Sequence, residues 1–347
     1  MSTGKEGSHS GVLNRRDLLR LAGCASTLPL TALWSSDARG NDVPVVGPGQ
    51  VVRVHMPGMR GRFSPHPDAA RIMVKKAMMT LTGAADPVSA WTKFIRPTDR
   101  VGIKVNLVGG RLSSTSGAVV NAIVEGLLGI GVRSDNITVF EQFDSTVTES
   151  GFRLGSAAGS VRITANDALG YETTPISVTG ATVRLAKVFT SCTAVINVPV
   201  IKDHALAGVT CAFKNIVYGI VEKPRRLHRN LHEVLPRIFG HEAVRGRVRL
   251  TIVDGAFCLF DGGPRHNPDA YVTHDSIYAT TDPVAMDAVA VDLIDRLRKE
   301  NGLRSLTESS RPATYLELAA RLGLGIAERQ RIQLKTVALP RFSGSAA

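Results

Sequence analysis

Short apolar runs rich in β-branched residues alternate along this chain with longer segments of helical period, and this alternation limits the possible folds more than any other feature. Runs at 51–55, 101–106, 137–141, 194–201, 248–254 and 277–280 read as strands, and 68–81, 118–128 and 284–298 read as helices. The strand runs are apolar on successive residues, so both of their faces must be covered. Helices joining such strands supply the cover. The expectation is an α/β fold: a mostly parallel sheet with helices on both faces, three layers in all. Residues 151–187 break the rhythm with Thr- and Val-rich pieces set between Gly, Asn and Pro, which predicts a small β insertion beside the main sheet. Residues 315–322 then read as a helix and 332–339 as a strand.

A chain of 347 residues that is 44% hydrophobic can bury a large core, and a single α/β domain over 50–340 accounts for the pattern. Ahead of it, Asn14-Arg15-Arg16-Asp17-Leu18-Leu19 precedes a moderately apolar run at 21–34 and the small residues Ser36-Asp37-Ala38. That order is the pattern of a twin-arginine signal peptide over 1–40, with the twin-arginine translocation machinery as partner and the periplasm as destination. The apolar run is shorter than the ~20 residues a bilayer span needs, so no transmembrane helix is expected in the mature chain. Leu21-Ala22-Gly23-Cys24 has the form of a lipoprotein box, but cleavage there would leave almost no apolar segment after Arg16. Residues 41–49 read as a Pro/Gly linker and 341–347 as a flexible tail.

The chain carries a net charge of +12, and because 1–40 holds five basic and three acidic residues, the remainder stays near +10. The basic residues are spread out, aromatics are 5% and no nucleic-acid motif is present, which argues against nucleic-acid binding. A basic surface around an acidic small ligand fits better. Beyond 1–40 the cysteines are Cys192, Cys211 and Cys258, an odd number without Cys-x-x-Cys spacing. Neither a disulfide framework nor an iron–sulfur cluster is expected from them. Twin-arginine export carries folded proteins, which strengthens the case for a cofactor loaded before export; a divalent metal is a candidate.

Three strand runs end in polar side chains: Lys104 and Asn106, then Lys202, Asp203 and His204, then Asp254 before Gly255. In an open parallel sheet the carboxyl ends of the strands share one edge, where ligands bind, so these residues should converge. Lys104 and Asn106 lie two apart and share a side of their strand, as do Lys202 and His204. Lysine neutralises an anion and asparagine orients it. Gly208-Val209-Thr210 then opens a helix carrying Lys214 and Asn215. His204 can serve as a general acid/base or a metal ligand, and Asp254 as a general base or a metal ligand. Asp282-Pro283 has the form of a helix N-cap, while Asp287 lies inside that helix and needs a partner, for which Lys104 or Lys202 would serve.

The basic segment 222–246 reads as a loop and helix covering the site, and carries His228, His232 and His241. His228 and His232 have the four-residue spacing of a two-histidine metal site, although Pro236 stands where the zinc-protease pattern from His232 needs its second histidine. The metal candidates are therefore His204, His228, His232 and Asp254.

In these residues the chain resembles the domain-of-unknown-function family 362. That family pairs an Ile-Lys-x-Asn-Leu segment with Lys-x-His, a Gly-x-Thr-x-x-x-Lys-Asn helix, Asp-Gly, Gly-Gly-Pro and Asp-Pro-Val-Ala-x-Asp-Ala. The matching positions are Lys104, Asn106, Lys202, His204, Gly208, Thr210, Lys214, Asn215, Asp254, Gly262, Gly263, Pro264, Asp282, Pro283 and Asp287, over roughly 101–295. The cysteine-rich ferredoxin segment of some members has no counterpart here. The resemblance implies a site at these residues without implying a reaction. The resulting expectation is an exported protein that binds an anionic small molecule, a carboxylate or a phosphate. In it Lys104, Asn106, Lys202, Thr210, Lys214, Asn215 and Asp287 hold the ligand and His204 with Asp254 moves protons or holds a metal. The alternative is a non-catalytic ligand-binding or metallochaperone accessory protein.

Overall fold

The computed structural model describes residues 46–61, 63–155, 159–264 and 266–344. The expected signal peptide at 1–40 and most of the expected linker lie outside them. The main sheet contains β1 (Gln50–His55), β2 (Val101–Val105), β3 (Ile137–Glu141), β4 (Arg162–Ala165), β7 (Ala194–Val198), β8 (Val200–His204), β9 (Gly208–Thr210), β10 (Val248–Leu259), β11 (Tyr271–Thr280) and β12 (Gln333–Ala338). Its order is β12-β1-β11-β10-β7-β2-β3-β4, with β8 paired to β10 and β9 to β8. Pairings β10–β7, β7–β2, β2–β3, β3–β4 and β10–β8 are parallel. β11 runs antiparallel to both β10 and β1, as the return arm of a hairpin. The mostly parallel α/β expectation holds, and the strand expected at 277–280 is the end of this longer antiparallel strand.

Alternation along each strand sends side chains into two different apolar layers. Val101, Ile103 and Val105 of β2 pack with Ala194, Ile196 and Val198 of β7 against α1 (Pro67–Thr82) and α2 (Gly117–Gly129). Val195 of β7 and Phe140 of β3 point the other way. They join a layer built from α3 (Ala212–Ile220), α4 (Leu231–Gly240), α5 (Pro283–Glu300) and α6 (Tyr315–Arg321). Both layers are deeply buried, which is why the strand runs carry little polar alternation. Among the described residues, no helix is long and apolar enough to cross a membrane.

The structure departs from the sequence expectation in several places. Pro199 has no N–H to donate, and the run expected as one strand over 194–201 divides there into β7 and β8. Lys202, Asp203 and His204 thus lie within a strand rather than after one. Asp254 does not close its strand either, because β10 continues past an irregularity at Gly255/Phe257 to Leu259. The irregular segment 151–187 contributes β4 to the sheet edge, and only β5 (Ile176–Val178) and β6 (Ala181–Val183) form a separate hairpin. The start of the expected tail is docked, since the Phe342 N–H donates to Pro57 O at 2.9 Å and its ring stacks on His66.

Two aspartates of α5 and its cap organise this layer. Asp282 caps α5 by accepting from Ala285 N at 2.8 Å, as its place before Pro283 predicts, and also accepts from Gly49 N and Ile326 N. Asp287 was expected to meet a lysine and instead receives Ala212 N at 2.6 Å, Phe213 N at 3.2 Å and the Tyr315 hydroxyl at 2.6 Å. It serves as a tertiary cap for α3, whose own N-cap, Cys211, gives no side-chain bond. Burial pushes the Asp287 carboxyl up to about 6, against these three hydrogen bonds. Asp287→Ala leaves two buried N–H groups and a phenol without acceptors. It should lower unfolding free energy by about 3 kcal/mol, measured by urea denaturation; a loss under about 1 kcal/mol would show that α3 is positioned otherwise.

Candidate functional site

The carboxyl ends of β2 and β3 meet β8, β9 and α3 around a core of polar groups. Lys104 points from β2 toward α3 and is 1% exposed, as is Lys202 on β8, while Lys214 on α3 is 9% exposed. Three buried lysines in one place demand compensation. Two of them receive it in full.

The Lys104 ammonium donates to Glu141 Oε1 at 3.2 Å, Asn215 Oδ1 at 3.3 Å and Val105 O at 2.5 Å. Burial pulls its pKa down, opposed by Glu141. The Lys202 ammonium donates to Asn106 Oδ1 at 2.8 Å, Ser113 O at 3.3 Å and Val108 O. Three acceptors thus match the three donors of each ammonium. Burial, with Lys214 and Lys104 nearby, takes the Lys202 pKa down to about 7 against the pull of Glu141. Asn215 joins the two cages: its Oδ1 also accepts from Asn106 Nδ2 at 3.0 Å, and its Nδ2 donates to Asn197 Oδ1 at 2.8 Å and Lys104 O at 3.4 Å. Helix α3 comes this close because residue 219 is glycine; a Cβ there would lie 1.9 Å from Lys104 Cε.

Lys214 differs. Its Nζ stands 3.8 Å from the centroid of the Tyr218 ring, one helical turn on, and no hydrogen-bond acceptor meets it among the described residues. Burial alone takes its pKa down to about 7. Two buried hydroxyls also lack partners, Tyr218 Oη on the same ring and Thr210 Oγ1 on β9. Thr210 is the register partner of Lys202 in the β8–β9 pair, so the two side chains share a face. His228, on the 3-10 turn Pro224–Asn230, closes the group, with its ring centroid 5.0 Å from Tyr218 and 6.1 Å from His204. Lys214, Tyr218, His228 and His204 therefore form a continuous cluster at the rim of the lysine core.

His204 Nδ1 accepts the N–H groups of Leu206 at 3.0 Å and Ala207 at 3.1 Å, which leaves the ring proton on Nε2. Burial first, then Lys214, His228, Lys202 and Arg311, hold its pKa down to about 2. In this state His204 offers an N–H donor and has no open lone pair. Asp254 sits apart, accepting from Ser116 N at 2.8 Å and Ala256 N at 3.3 Å, with burial raising its carboxyl pKa. It shares no hydrogen bond or ion pair with His204 or the lysines; the loop whose Ser113 O meets Lys202 binds Asp254 through Ser116. The expected convergence thus joins Lys104, Asn106, Lys202, His204, Thr210, Lys214 and Asn215, and leaves Asp254 and Asp287 outside.

His228 and His232 do not share a helix face. His232 lies on α4, with Nε2 3.1 Å from Leu206 O and its ring stacked on Tyr315. Among the described residues no group of three or more His, Cys, Asp or Glu side chains is arranged to hold a metal ion. The glycine loop at 262–263 packs on protein rather than leaving room for a ligand, since a Cβ on Gly263 would lie 1.9 Å from Asp203 O. Asp203 itself is paired with Arg311 at 2.8 Å.

Glu141, Asn197 and Tyr218 belong to the site and escaped the sequence reading. Glu141 is the charged last residue of an apolar strand, the same signal that marks Lys104. Asn197 interrupts an apolar run, and Tyr218 follows Lys214 by one helical turn.

The fold and site define an α/β protein with a buried cluster of three lysines beside the carboxyl edge of a mostly parallel sheet. The chain belongs to the family described as Domain of unknown function (DUF362), whose profile matches residues 101–292. No curated protein matches the sequence. Among solved structures it is similar to the lactate racemase apoprotein from Thermoanaerobacterium thermosaccharolyticum, with 9% identity and a TM-score of 0.41, over 68% of this chain and 60% of that one.

The folded-state pKa values of Lys202 and Lys214, about 7, lie below the unfolded value of about 10.4. Between these values the unfolded chain binds more protons, so stability should rise with pH over that interval. Lys214→Met removes one of these groups and should raise the denaturation midpoint near pH 6 while flattening its climb toward about pH 10. A variant midpoint that climbs as steeply as the wild type would show that the Lys214 ammonium is not destabilised by burial.

Proposed function

We propose that this chain is an exported protein that binds a small anionic molecule, a carboxylate or phosphate, in the crevice between β8, β9 and α3. The observation that carries this reading is a pair of buried hydroxyls without partners, Thr210 Oγ1 and Tyr218 Oη, together with a Lys214 ammonium that meets the Tyr218 ring and no acceptor among the described residues. An anion would satisfy all three and relieve the cost of burying them. Lys104 and Lys202, held by their cages, add positive potential without contributing open donors. His204 adds a neutral N–H donor. Asn106 and Asn215 hold the lysines, and so act on the ligand through them.

Binding is the activity this geometry supports best. A proton relay from His204 to Asp254 is not part of the proposal, because both lone-pair demands on His204 come from the backbone and Asp254 is held by another loop. The accessory-protein reading shares the same crevice. Turnover separates the two.

Thermal shift and calorimetry with phosphate, acetate and citrate test the reading. A ligand at a hundred times its Kd should stabilise the protein by about 2.7 kcal/mol. Thr210→Val and Lys214→Met should each weaken binding about tenfold or more, and binding should weaken as pH rises past about 7 and Lys214 loses its proton. Binding in both variants as tight as in the wild type would place the anion elsewhere. Export rests on the Arg15-Arg16 segment and its apolar run. Replacing both arginines with lysine should leave the protein in the cytoplasmic fraction, and unchanged periplasmic recovery would remove the twin-arginine assignment.

A further inference from the structure

Three lysines are buried together, and they are not equivalent. Each of the Lys104 and Lys202 ammonium groups faces three oxygen acceptors, an arrangement that fits the charged form. Lys214 stands over the Tyr218 ring, the Tyr218 and Thr210 hydroxyls lack partners, and Lys202 lies close by. Burial without an acceptor favours the neutral amine, whose lone pair is nucleophilic, against the attraction of the Tyr218 ring for the ammonium. The same neighbours suit a carbonyl compound. Thr210 Oγ1 and Tyr218 Oη each bring a proton that no protein group takes, and burial raises the Tyr218 pKa, so its hydroxyl stays protonated.

We propose that Lys214 is a covalent ligand-binding residue that forms a Schiff base with a small carbonyl compound bearing a carboxylate, a 2-oxo acid or an aldehyde acid. The Nζ lone pair attacks the carbonyl carbon to give a carbinolamine, and the C–O bond then breaks. The oxygen leaves as water, taking the two hydrogens of the amine, and C=N replaces C=O with no oxidant or reductant. Tyr218 and Thr210 stand beside the departing oxygen as donors. The carboxylate rests on His204 Nε2–H in the field of Lys202 and Lys104. This inference builds on the reading of the crevice as an anion site, and it assigns Lys214 to the carbonyl rather than to the carboxylate.

Three probes separate the inference from that reading: pyruvate has both groups, propionate only the carboxylate and acetaldehyde only the carbonyl. The full-length protein is incubated with each and treated with borohydride, then mapped by peptide mass spectrometry, with thermal shift run in parallel. With pyruvate, Lys214 should gain the mass of pyruvic acid less one oxygen atom, at more than tenfold the yield of any surface lysine. Lys214→Arg and Lys214→Met should abolish that adduct and leave surface background unchanged. Stabilisation by propionate without a pyruvate adduct at Lys214 would overturn the Schiff base while sparing the anion site. An acetaldehyde adduct at Lys214 as abundant as the pyruvate adduct would uphold the nucleophile and overturn the anion reading. Trapping spread evenly over surface lysines would overturn the inference outright.

Discussion

The structure around the site depends on the hydrogen bonds of one amide. Asn215 accepts from Lys104 and Asn106 and donates to Asn197 and Lys104 O, so a single side chain on α3 binds β2, the loop beyond it and β7. All four of its hydrogen-bonding positions are used. Because Asn106 in turn accepts from Lys202, the same amide reaches β8 through one intermediate. A helix placed slightly off this register would leave the buried Lys104 ammonium short of an acceptor and the Asn106 amide without its partner. Asp287 and Tyr315 secure the start of that helix, and Gly219 lets it pass over Lys104.

Such a network makes the basic character of the site a property of the fold rather than of its surface. Two lysines have their ammonium donors matched by oxygen acceptors, which favours the charged form against the cost of burial. The low local dielectric that strengthens these hydrogen bonds also penalises Lys214, which shares the burial of the others without their acceptors. Burial with unequal partners therefore divides three chemically identical side chains into two matched by oxygen acceptors and one that meets an aromatic ring.

Much of the fold was legible because sheet and helix leave periodic marks. Continuous apolar strands and amphipathic helices gave the three-layer α/β arrangement, and Asp282-Pro283 announced the start of α5. Pairing order was not legible, and neither was the reversal of β11, since an apolar strand carries no sign of its direction. The division at Pro199 was readable from proline's missing N–H. Because a new strand starts after it, Lys202 and His204 lie within β8 rather than beyond a strand end.

At the site, spacing alone determined that Lys104 and Asn106 share a side, that Lys202 and His204 share another and that Lys214 and Asn215 begin a helix facing them. Residue type determined that the site would be basic. Only tertiary structure decided which charges are matched, because a hydrogen-bond acceptor is defined by position in space and not by neighbours along the chain. It set Glu141 on Lys104 and Asn106 on Lys202, placed Lys214 on the Tyr218 ring, left the Thr210 and Tyr218 hydroxyls without hydrogen-bond partners, and drew Asp254 and Asp287 away to backbone N–H groups. Sequence names the ionisable groups, and burial with partner geometry decides what each can do.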